Sequence, residues 1–111
     1  MALAVGLGAI GTHLLQEKIT PRQLEIFHTA VQYQMIHSIG LILVGLLIAH
    51  RPSWTLDIAA ILMIVGIFFF SGFLYAYVAT QYKVFAMIVP LGGVSFIAAW
   101  LAIAAAALGI K

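Results

Sequence analysis

Eight charged residues punctuate the chain: Glu17, Lys18, Arg22, Glu25, Arg51, Asp57, Lys83 and Lys111. The stretches between them, 1–16, 26–50, 58–82 and 84–110, carry no charge. A helix needs about 20 mainly apolar residues to cross a ~30 Å hydrocarbon core. The last three stretches exceed that length and the first falls short of it. None alternates with the period of two that marks a strand, and only helices and closed barrels satisfy their backbone inside a bilayer. The pattern therefore predicts an all-α membrane protein. Its expected form is one domain over 1–111, a four-transmembrane-helix up-and-down bundle with helices at about 1–16, 21–50, 56–79 and 84–109. At ~1.5 Å per residue the first helix covers about 24 Å, so it reads as a short span that thins the membrane or one that begins upstream of Met1.

Local signals refine the helix starts. Thr20-Pro21-Arg22-Gln23 offers a capping Thr, Pro at the first helical position and Gln three residues after the cap. Leu24, Phe27, Val31 and Met35 then recur at spacings of three and four with charges between them, which predicts an interfacial amphipathic start to the second helix. Ser53 is placed to cap the approach to the third. Trp54 and Tyr82 fall where an aromatic belt would lie, and Arg22 and Glu25 have the spacing of an i,i+3 surface pair.

Composition sharpens the class. The chain is 65% hydrophobic and 7% charged with mean hydropathy +1.19, against about 25% charge in soluble domains. A net charge of +2 without a basic cluster gives no footprint for nucleic acid. Cysteine is absent, which excludes disulfides, thiolate metal sites and a cysteine nucleophile. Gly6-Leu7-Gly8-Ala9-Ile10-Gly11 spells GxGxxG but lies within an apolar helix with no preceding strand, so it is no dinucleotide fingerprint.

Polar and small residues gather at one end of the helices. The second helix has Thr29, Gln32, Tyr33, Gln34, His37 and Ser38, the third Ser71, Gly72 and Tyr75, and the fourth Pro90, Gly92, Gly93 and Ser95. The first has Gly8, Gly11, Thr12 and His13. In an up-and-down bundle these segments fall at similar depth in one leaflet. Lipid gives polar groups no partner, so they are expected to turn inward. The candidate polar cluster is His13, Thr29, Gln32, Tyr33, His37, Ser71, Tyr75 and Ser95. Gly8, Gly11, Gly72, Gly92 and Gly93 are expected to let helices approach closely, and Pro90 frees the carbonyl of Ala86. The plain reading of His13 and His37 is as neutral histidines hydrogen-bonded between helices, and that of the glycines is packing.

Taken together, Gly8-Ala9-Ile10-Gly11-Thr12-His13, Phe27-His28-Thr29-Ala30-Val31-Gln32-Tyr33-Gln34-Met35-Ile36-His37, Phe70-Ser71-Gly72-Phe73-Leu74-Tyr75 and Pro90-Leu91-Gly92-Gly93-Val94-Ser95-Phe96 with Trp100 resemble the domain of unknown function 423 family, related to transmembrane protein 256. The chain departs from that pattern at Ile10, Thr12, Phe73 and Ala99. The resemblance implies a four-span protein of the bacterial inner membrane, with the termini and the 50–57 loop on the cytoplasmic side. It implies no reaction, ligand or catalytic residue.

Functional readings follow from what the chain lacks and where its polar groups sit. The foremost is a non-enzymatic accessory or assembly partner, surrounded by the lipid bilayer and joined to other membrane protein subunits or to further copies of itself. A small transporter or proton-coupled carrier is the alternative, and it would have to rely on His37 or His13 because no Asp or Glu lies in the uncharged stretches. A haem or metal site between the first two helices is a third reading. No cofactor is expected on the first reading. No HExxH metalloprotease motif is present, serine chemistry at Ser71 or Ser95 would also need an oxyanion hole and water access, and Gly92-Gly93-Val94-Ser95 alone is too weak a pattern to mark an enzyme.

Overall fold

The computed structural model describes residues 1–109, and Lys111, which enters the charge pattern above, lies outside them. Four helical rods follow one another: α1 (Ala2–Leu15), α2 (Pro21–His50), α3 (Trp54–Thr80) and α4 (Lys83–Ala107). No strand occurs among the described residues. Three rods, α2, α3 and α4, are long and apolar enough to cross a membrane, and α1 is shorter. The expected four spans are thus three helices of spanning length with a shorter apolar helix beside them.

The termini of the helices follow from local chemistry. Thr20 Oγ1 accepts from Gln23 N at 3.1 Å and Thr20 N donates to Gln23 Oε1 at 3.1 Å, closing a capping box with Pro21 behind it. Leu24, Phe27, Val31 and Met35 turn inward to varying degrees while Arg22 and Glu25 stay exposed 3.5 Å apart. Ser53 Oγ accepts from Thr55 N and starts α3. Between α3 and α4 the chain reverses in two residues, with Gln81 in the left-handed region at φ 64°. Its side chain holds the turn, donating to Val78 O at 2.7 Å and accepting from Gln23 Nε2 at 2.6 Å.

Two of the rods contain π-helical stretches, Leu7–Gly11 in α1 and Ile67–Gly72 in α3. A π turn carries one more residue than an α turn and rotates the faces on either side of it. In α3 it puts Ser71, which is 0% exposed, against α2.

The molecule is flattened, 49 × 26 × 14 Å. α3 is central and packs on α2 and, most closely, on α4, while α1 lies along α2. The backbones of α2 and α4 hardly meet. Their large side chains meet instead, and Val44, Leu56 and Ala59 with Ala102, Ile103 and Ala106 close that end of the core. Phe27, Val31 and Val78 with Leu7, Leu15 and Tyr75 close the other.

Candidate functional site

Glycines decide how closely the rods approach. A Cβ on Gly92 would run into the backbone of Phe69 and Phe70, and one on Gly66 would overlap the ring of Phe96. α3 and α4 therefore touch main chain to main chain, the small-residue packing of membrane helices. Gly8 faces Val31 and Gly11 faces the Phe27 ring, which seats α1 on α2. Gly40 lies under the Trp100 ring and Met63. Gly72 and Gly93 differ from the expectation: a Cβ there finds nothing nearer than 3.9 and 4.0 Å, because the π turn swings Gly72 out of the seam and Gly93 faces past Phe70. Pro90 is exposed, and among the described residues no side chain donates to the carbonyl it frees at Ala86.

Within the bundle the polar groups form two neighbouring sets. In the first, Ser71 Oγ donates to Ala30 O at 2.7 Å and Tyr75 Oη donates to Gln34 Oε1 at 2.6 Å. Side chains lean toward the N-terminus of their own helix, so Tyr75 and Gln34, on antiparallel helices, reach toward each other at the level of Ser71. In the second set His37, 5% exposed, stacks on Phe96 with centroids 3.5 Å apart. Its Nδ1–H donates to Tyr33 O at 2.8 Å. Tyr33 stacks on Phe70 at 4.3 Å, and Trp100 tilts against His37 at 5.8 Å. This stack bridges α2, α3 and α4.

Other members of the expected cluster lie elsewhere. Ser95 Oγ donates to Leu62 O at 2.7 Å in the seam of α3 and α4. Leu62 is nine residues, about 13 Å, along α3 from Ser71. Thr29 is half-buried and donates back to Glu25 O. His13 and Gln32 are exposed and outside both sets. The contacts of Gly8 with Val31 and Gly11 with Phe27 fix the register of α1 on α2, so His13 lies near the level of Phe27. His37 is ten residues, about 15 Å, farther along α2 and faces α4, so the two histidines do not share a depth or a site. Among the described residues no group of three or more His, Cys, Asp or Glu is placed to hold a metal.

Of the residues expected on α2, His37 lies on the buried face, Tyr33 is exposed beside it and stacks on Phe70, and Thr29 is half-buried. The buried face of α2 is Phe27, Ala30, Val31, Gln34, His37, Gly40 and Val44. Gln34 continues the apolar stripe by three residues from Val31, and that signal identifies it in place of Gln32. A contact that spacing alone does not reveal joins α1 and α2: Thr12 Oγ1 donates to Gly8 O at 2.6 Å and accepts from His28 Nε2 at 3.1 Å.

Long apolar helices, a buried hydrogen-bonded interior and small-residue seams define a multi-pass α-helical membrane protein. The family described as "Protein of unknown function (DUF423)" matches residues 7–93. The chain belongs to this family. It is 47% identical over 107 residues to the UPF0382 membrane protein YwdK of Bacillus subtilis, covering 95% of this chain and 86% of that one. A UPF0382 membrane protein of Staphylococcus epidermidis is 42% identical over 106 residues, 96% of this chain and 86% of the relative. Another, of Staphylococcus aureus, is 44% identical over 99 residues, 89% and 80%. No solved structure matches the chain significantly.

Proposed function

We propose that this chain is a non-enzymatic accessory or assembly partner within a membrane protein complex. One observation carries the reading. Gln32 lies six residues inside the uncharged stretch that begins at Ile26, is exposed, and makes no hydrogen bond within the described residues. A primary amide has two donors and an acceptor, and acyl chains satisfy none of them. Polar side chains at such depth face protein or water. His28 and Glu25 continue the same exposed face one and two turns toward the start of α2. The buried polar groups, by contrast, find their partners inside the chain. His37 is held by Tyr33 and covered by Phe96, an arrangement suited to fixing three helices rather than to passing protons.

The test is Gln32→Leu in the full-length chain, extracted with its surrounding membrane in polymer-bounded discs and run on native gels. The unmodified chain is expected to migrate in a complex and the variant alone, with thermal stability of the isolated chain unchanged or raised. A complex that survives the substitution, or an unmodified chain that migrates alone, contradicts the reading.

A further inference from the structure

Because α2 and α4 are held apart by their side chains, an open groove runs between them from the Arg51 end down to Trp100, beside the second polar set. It comprises a cavity of ≈ 340 Å³ at the mouth and one of ≈ 440 Å³ below it, with Leu47 and Ile103 lining both. The lower part is walled by Leu43, Trp100 and other apolar side chains, with His50 at its upper edge. Arg51 lines the mouth, and among the described residues no Asp or Glu lines either part. Asp57, the nearest acid in sequence, sits exposed on the first turn of α3 and outside the lining.

We infer that this groove binds an anionic phospholipid, its phosphate on Arg51 and one acyl chain along Leu47, Ile103 and Trp100. The polarity of the groove runs as the lipid's does. A cation stands at the outer end of an apolar trough, at the point where the helices leave the uncharged stretch. Arg matches a phosphate with a planar fork of donors, and no charge within the lining competes for it. Two carbonyl helix ends, of α2 and α4, and one amide end, of α3, meet at the mouth. The backbone therefore gives an anion no net attraction, and selectivity rests on Arg51. Within the trough, acyl chain covers apolar side chains that the bundle leaves open, and Trp100, 40% exposed, provides a reporter on the wall.

The chain has two tryptophans, so Trp54→Phe leaves Trp100 as the sole emitter. The full chain carrying that substitution is reconstituted in phosphatidylcholine vesicles. A small fraction of phosphatidylglycerol or of phosphatidylcholine with brominated chains is then added, and Trp100 quenching is recorded. Phosphatidylglycerol is expected to quench about fivefold more effectively per mole, which corresponds to about 1 kcal/mol. Arg51→Gln removes the preference and Arg51→Lys keeps most of it, while quenching by brominated phosphatidylcholine, which reports that Trp100 still meets acyl chains, is the same in all three. Equal quenching by the two lipids, a preference that survives Arg51→Gln, or shielding of Trp100 from both lipids, as a second copy over the groove would produce, overturns the inference.

Discussion

At the scale of single residues, the seam between α3 and α4 turns on the absence of one methyl group. Gly92 lies against main chain that has no room to shift, whereas a Cβ on the neighbouring Gly93 would stand 4.0 Å from the nearest side-chain atom. Gly92→Ala is expected to cost about 1–3 kcal/mol through overpacking. Gly93→Ala is expected to be neutral or to stabilise by up to about 1 kcal/mol through helix propensity. Thermal unfolding in detergent, followed by circular dichroism, separates the two. Equal effects would contradict the seam described above. The sequence marks both glycines as small, but the direction each faces depends on the crossing of two helices, which spacing within one helix does not encode. Gln32 and Gln34 present the same difficulty: both are amides on one helix, two residues apart and thus on opposite sides, and only the stripe set by Phe27 and Val31 tells which of them turns inward.

Helix ends are legible because they are written locally. Thr20, Pro21 and Gln23 close a capping box that requires nothing from the rest of the chain, and Ser53 caps α3 locally through a single bond from Thr55 N. The π stretches are not legible in this way, since Ile67–Gly72 is as apolar as the α-helical residues around it and its extra residue is stabilised by contacts with α2 and α4. A register device of this kind makes its own prediction. Deleting Phe68, which is exposed within the π stretch, returns that turn to α geometry and leaves both flanking faces in place. Deleting Ile61, equally exposed but in regular α-helix, rotates everything beyond it by about 100° and takes Ser71 and Tyr75 away from α2. The first variant is expected to keep a cooperative unfolding transition and the second to lose it. The reverse result would show that the π stretch carries no register.

For the molecule as a whole, the charge-free stretches reveal a membrane bundle, and the family comparison agrees with them. They do not reveal that α1 rides mainly on α2, that α2 and α4 are spread by aromatic side chains, or that His13 and His37 lie far apart. Those features depend on which faces meet, and a lipid-facing surface and a buried one are both apolar here. On the proposed reading, the exposed amide of Gln32, six residues inside an uncharged stretch, marks the face of α2 that meets protein rather than lipid. A photoreactive residue at position 36, exposed on the same face of α2 one turn beyond Gln32, and another at position 97, exposed on α4, compare the two surfaces in intact cells. Irradiation is expected to join the chain at position 36 to one discrete protein of reproducible mass and, at position 97, to lipid only. Lipid adducts alone at both positions would contradict the account.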